Sequence, residues 1–196
     1  MELRFSTLKD RPELLEDLLD MENTWLEFIR NDPIGALYYN PQVLRQLDDY
    51  TLLALDRHDE IVAKAHSIPF QMPSAGLPTD GWDVVIRRGL HSLLTKSRPD
   101  AVSALEISVR SDLQGKGISA QVLAALRTNA RRLGFSQLLA PVRPTGRKDP
   151  DESMQAYALR VRGDGLPLDP WLRVHVRAGG AIETIAQRSK IGRAHV

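Results

Sequence analysis

Ala104-Leu105-Glu106-Ile107-Ser108-Val109-Arg110-Ser111-Asp112-Leu113-Gln114-Gly115-Lys116-Gly117-Ile118-Ser119 is the stretch whose reading decides the fold. Residues 101–109 read as a strand, with Leu105, Ile107 and Val109 on one face and Ala104, Glu106 and Ser108 on the other. From Ile118 onward the apolar residues fall at helical spacing: Val122, Ala125, Leu126, Ala130 and Leu133 share a face. Arg131-Arg132-Leu133-Gly134 closes that helix with cations and a C-terminal glycine. A strand therefore runs through a glycine-bearing turn into a helix N-terminus. Free N–H groups point outward there, and the macrodipole favours an anion. Such a turn is a phosphate site. Gly115 and Gly117 permit positive φ and close backbone approach, and Lys116 adds a cation. Other phosphate loops fit worse. A Walker A loop needs glycine where Arg110 stands and Ser or Thr where Gly117 stands, and the dinucleotide fingerprint needs a third glycine.

Upstream, Leu3–Ser6 reads as a short strand. Asp10, Pro12 and Glu13 signal a helix start, continued at helical spacing by Leu14, Leu15, Leu18, Leu19, Glu22, Trp25, Leu26 and Ile29. Asn40-Pro41 opens a short helix. Thr51–Leu55 and Ile61–Ile68 form a hairpin around Asp56–Glu60, and Trp82–Leu94 forms another helix. Downstream, the expectation is a strand over Phe135–Val142, a short helix around Glu152–Val161, and a helix opened by Asp169-Pro170 and ending at Gly179-Gly180. A last strand is expected over Ala181–Ala186.

Gln114-Gly115-Lys116-Gly117-Ile118-Ser119 resembles the Q/R-x-x-G-x-G/A signature of the GNAT superfamily of N-acetyltransferases, with Ser119 where that family has Gly or Ala. Val174-His175-Val176-Arg177-Ala178-Gly179-Gly180 is similar to the family's later motif, His175 standing at the tyrosine position and Gly180 at the phenylalanine position. The stretch Gly163–Arg173 further suggests kinship with a bacterial GNAT subgroup of unknown substrate. The resemblance implies an α/β GNAT fold: a mixed, mostly antiparallel central sheet flanked by helices. Two insertions, Gln71–Pro99 and Pro144–Asp169, depart from the minimal plan.

The same resemblance implies an N-acetyltransferase that moves an acetyl group from acetyl-CoA to a primary amine of a small molecule or an amino terminus by direct attack. The alternative is an acyl-CoA-binding domain without turnover. Carried over, the backbone of Ile107 and Val109 would meet the pantetheine arm. The N–H groups of Gln114, Gly115, Lys116, Gly117, Ile118 and Ser119 would hold the pyrophosphate. Direct attack needs a base, oxyanion donors and an acid for the thiolate. Glu106 is the candidate base, a water chain its substitute; a backbone N–H near Ile107 would serve the oxyanion. His175 is the candidate acid. Trp25, Phe28, Tyr38, Tyr39 and Tyr157 are candidates for lining an acceptor pocket, and Trp171 for anchoring the last helix.

The chain has 196 residues and a formal net charge of +1, which argues against a nucleic-acid partner. Arg127, Arg131 and Arg132 read as a helix-end cluster. No cysteine is present, so disulfides, thiolate nucleophiles and cysteine-based zinc sites are out, and a cytoplasmic location fits. His58, His66 and His91 lack ligand spacing, so no metal is assigned. No apolar run approaches the roughly 18 residues of a membrane span. Lys190–Val196 reads as translated sequencing adapter. Residues 1–189 are therefore expected to be one GNAT-like domain, 190–196 a non-native tail, and the protein C-terminally truncated.

Overall fold

The computed structural model describes residues 2–22, 25–149, 151–186 and 189. In chain order its elements are β1 (Arg4–Thr7), α1 (Leu15–Asp20), α2 (Glu27–Arg30), α3 (Pro33–Tyr38), α4 (Pro41–Gln46), β2 (Thr51–Leu55), β3 (Ile61–Phe70), α5 (Trp82–Thr95), β4 (Ala101–Val109), α6 (Ile118–Arg132), α7 (Met154–Ala158) and α8 (Pro170–Arg177). The four strands form one antiparallel sheet in the order β1-β2-β3-β4. Apolar side chains from α1, α3, α4 and α5, among them Leu18, Tyr38, Leu44 and Ile86, cover one face with Leu53, Ile68 and Phe70. Val122 and Leu126 of α6 cover the other with Leu52, Ala63, Ala65 and Val109.

Helix starts obey the expected cap chemistry. Asn40 accepts from the Val43 N–H, and Asp169 accepts from the Trp171 and Leu172 N–H groups, each ahead of a proline in the first turn. Asp10 does not cap; it pairs with the Thr7 hydroxyl, and a short 3₁₀ turn at Pro12–Leu14 precedes α1.

Several expectations are corrected. The helical pattern through Ile29 breaks after Asp20. α1 carries Glu16 and Asp17 in its first turn and no basic residue of its own in its last, and Met21 turns extended at ψ 130°. Phe135–Val142 is not a ladder strand: only Leu139 bridges, in parallel, to Ser103. Pro141, two residues on, supplies no N–H to extend the pairing. That bridge alone gives the sheet its mixed character. Ala181–Ala186 forms no strand: none of its residues enters a ladder with the four strands. The helix around Glu152–Val161 shortens to α7. Lys190–Val196 lies outside the described residues.

The alternation along β4 is also corrected. His66 pairs with Glu106 and Ser67 with Ala104, leaving Leu105 as an extra, bulged residue. Leu105 therefore joins the α1–α5 core, whereas Ile107 and Val109 pack toward α6.

Candidate active site

The glycine loop takes the conformation its composition allows. Gly115 and Gly117 both sit at φ +76°, and a Cβ placed on either would meet only open space. Gly117 is the N-cap of α6, and no side chain caps that helix. The N–H groups of Gly115, Lys116 and Gly117 find no backbone or side-chain acceptor among the described residues. Unsatisfied donors, room above them and a 15-residue helix behind them fit a diphosphate. The Ile118 side chain is buried in the core below, so only its backbone faces the loop. Gln114 is committed otherwise: its side-chain amide donates to the Val109 carbonyl at 3.3 Å.

β4 opens the second part of the site. Near its start, the Ala104 N–H donates to the Leu139 carbonyl at 2.8 Å and the Leu139 N–H to Val102 at 3.0 Å. Past the bulge, the segment carrying Leu139 has no further bridge to β4. The Arg110 N–H donates to Val62 on the β3 side. By the two-residue alternation of an antiparallel pair, Ile107 and Val109 then direct their backbone groups to the open edge. A cleft of about 690 Å³ is lined by Phe70, Ser103, Leu123, Leu139 and His175 among others, and not by Ile107, Val109 or the glycine loop.

Glu106 lies on the other face of the sheet. It is 6% exposed. The Ser108 hydroxyl donates to its Oε1 in a short hydrogen bond. The Nε2 of His66 lies 3.9 Å from its Oε2. Tyr39 stands beside the same carboxyl, its buried hydroxyl closing no hydrogen bond of ordinary geometry. Burial raises the Glu106 pKa above the usual carboxylate range, opposed by the positive charge of Lys64 and the Ser108 hydrogen bond. Lys64 is itself 7% exposed and donates to the Leu18 carbonyl at 3.2 Å. Burial, with Lys64 nearby, pushes His66 down to about 3, so this ring is neutral at physiological pH.

His175 sits on α8, half-buried, lining the cleft. Trp171 packs edge-on against it at 4.7 Å between ring centroids. Its Nε2 is buried without a partner. Burial lowers its pKa, and no cationic neighbour contributes; the flanking Arg173 and Arg177 are not the cause. Ile107 and Val109 lead along β4 toward the glycine loop, whereas His175 lines a cleft that none of these residues lines. Glu106 does not line that cleft.

Among the other candidates, Trp25 stacks edge-on against Tyr39 and Trp82 over the Glu106 face. The Phe28 side chain lies outside the described residues. Tyr157 donates to Asp169 at 3.1 Å and so supports the cap of α8. The residues that sequence spacing missed are His66, Lys64 and Thr51, which share a buried polar patch with Glu106. Their signal was polar residues at alternate positions of an otherwise apolar strand: Lys64 and His66 between Ala63, Ala65 and Ile68. Among the described residues no group of three or more His, Asp or Glu is arranged around a metal position. No helix among them is long and apolar enough to cross a membrane.

Comparison with known proteins gives three findings. No family model matches. The arginine N-acetyltransferase avaD of Aspergillus versicolor is 31% identical over 213 residues, covering 96% of this chain and 72% of that protein. Among solved structures, the loading GNATL domain of CurA from Lyngbya majuscula superposes with a TM-score of 0.66 at 22% identity, covering 93% of this chain and 85% of that one. The GphF GNAT-like decarboxylase in complex with isobutyryl-CoA superposes with a TM-score of 0.61 at 18% identity, covering 96% and 94%.

Proposed function

The chain belongs to the GNAT N-acetyltransferase superfamily, and from that premise we propose that it transfers an acetyl group from acetyl-CoA to a primary amine of a small molecule. The observation that carries this reading is the uncapped α6 N-terminus behind two positive-φ glycines, beside a β4 edge that Leu139 leaves open. Those features fit the cosubstrate in two places. The N–H groups from Gly115 to Ser119, with the Lys116 cation, would take the pyrophosphate. The backbone of Ile107 and Val109 would take the pantetheine amides, as an added strand would. The bound thioester supplies an activated acyl carbon, and the remaining work falls to protein groups.

Glu106 removes a proton from the acceptor amine, leaving the nitrogen lone pair free to attack. Burial raises its pKa above the usual carboxylate range, which makes it a stronger base than an exposed carboxylate. An N–H near Ile107 steadies the developing oxyanion. His175 presents Nε2 toward the departing sulfur as the C–S bond breaks; held neutral by burial, it acts as a hydrogen-bond donor. The name of the relative makes arginine the first acceptor to try.

The test is thiol release from acetyl-CoA with a panel of amines led by arginine, with products identified by mass. An acetylated amine formed in step with free CoA is the expected result. Acetyl-CoA binding with no thiol release under any amine would favour a non-catalytic acyl-CoA-binding domain. That second reading draws support from the two catalytic candidates not sharing a cavity: His175 lines the cleft and Glu106 does not. For His175→Ala we expect kcat to fall by about tenfold or more with acetyl-CoA affinity unchanged; an unchanged kcat rejects the role.

A further inference from the structure

The patch around Glu106 holds a buried histidine between two hydroxyls and the carboxyl. His66, on β3, is 1% exposed. Its Nδ1 faces two hydroxyls, Tyr38 at 3.5 Å and Thr51 at 3.3 Å. Each hydroxyl has one proton. Tyr38 donates its proton to the Ser67 carbonyl at 3.1 Å, and Thr51 donates its own to the Leu47 carbonyl at 3.4 Å. With the two protons placed on those carbonyls, both hydroxyls accept toward His66 and Nδ1 carries the ring hydrogen. In a neutral ring Nε2 is then a bare lone pair, and that lone pair faces Glu106 Oε2.

The two oxygens of Glu106 are thereby made unlike. Oε1 accepts from Ser108. Oε2 faces an acceptor, an arrangement that repels a carboxylate and suits a carboxylic O–H. Among the described residues, the polar groups that face Glu106 come from three elements. Lys64 and His66 come from β3, Ser108 from β4, and Tyr39 from the end of α3, with Tyr38 and the Leu18 carbonyl one layer back. Lys64 is the one group among them that favours the anion by its charge.

We propose that His66 is the positioning residue for the proton handled by Glu106: its ring, as the Nδ1–H tautomer, receives on Nε2 the hydrogen bond of the proton that Oε2 takes from the acceptor amine. In that step the amine N–H bond breaks, an O–H bond forms on Oε2, and the imidazole stays neutral. The 3.9 Å gap must close to about 2.8 Å as the bond forms. The proposal rests on Glu106 being the base.

Nitrogen-15 NMR of the labelled wild-type chain reads the tautomer directly and needs no variant. Protonated Nδ1 with bare Nε2 is expected, and the opposite tautomer overturns the proposal. The second readout is the acidic limb of kcat/KM against pH. His66→Phe keeps the ring volume and removes the lone pair, so the anion of Glu106 is no longer repelled and the acid loses its acceptor. The limb should move down by about one pH unit, which a purely structural role would not do. Glu106→Gln assigns the limb. If it vanishes in Glu106→Gln but stays in place in His66→Phe, the base stands and the role of His66 falls. If it persists in Glu106→Gln, the base reading itself falls, and this proposal with it.

Discussion

Glu106→Gln lowers kcat by about 10²–10⁴-fold, the ordinary contribution of a positioned general base, while acetyl-CoA affinity changes little. The amide matches the carboxyl in shape and still accepts from Ser108, so the sheet is not asked to repack. What it lacks is a site for the amine proton. The pH dependence sharpens the expectation. Glu106 must be deprotonated to act, and burial holds its pKa above the ordinary carboxylate range. Activity of the wild type therefore rises with pH through that raised value and is lost as pH falls through it. In the Gln variant the limb disappears. Steady-state rates across the pH range, with thermal unfolding of both proteins alongside, separate lost chemistry from lost fold. A Gln variant with wild-type kcat assigns proton removal to water. Lys64, a buried ammonium beside the altered group, makes the unfolding control necessary.

Gly117→Asp abolishes measurable acetyl-CoA binding without unfolding the protein. Gly117 lies at φ +76°, where Asp is among the better-tolerated side chains, at about 1 kcal/mol. Its Cβ would enter open space. A carboxylate at the N-terminus of α6 offsets part of that strain by about 0.3–1 kcal/mol through the helix dipole. The change is thus close to neutral for folding and adverse for ligand, because the new charge occupies the position the pyrophosphate needs. A loss of about 100-fold in affinity or more follows from placing like charges within a few ångströms in a partly desolvated loop. Gly117→Asn has the same shape and the same φ demand without the charge, so it should lose far less. Isothermal titration of the wild type and both variants decides the matter. Equal affinities for Asp and Asn would remove the loop as the phosphate site, whatever their absolute values.

Local chemistry was legible wherever it closed within a few residues. The caps at Asn40 and Asp169, the glycines at 115 and 117, the apolar stripe of α6 and the hairpin between β2 and β3 each depend on neighbours in sequence. The loop and the helix behind it were therefore readable from residues 104–134. The break after α1 was less legible, because an apolar 3.6-residue pattern continued past Met21, where the backbone turns extended.

The sequence by itself determined the strand, the phosphate-type turn and the helix that follows, because their hydrogen bonds and steric demands are short-range. Tertiary structure alone decided three other things. It set Leu105 as a bulge, turning Glu106 to face His66 rather than continuing a simple alternation. It limited the Phe135–Val142 segment to one bridge, leaving the edge beside Ile107 and Val109 open. And it brought Lys64, His66, Thr51 and Tyr39 around one carboxyl. Pairing register between β3 and β4 crosses the long Gln71–Pro99 insertion, so no local preference fixes it. Register is chosen by which side chains the two faces of the sheet must bury together, and a single extra residue moves every later side chain to the opposite face.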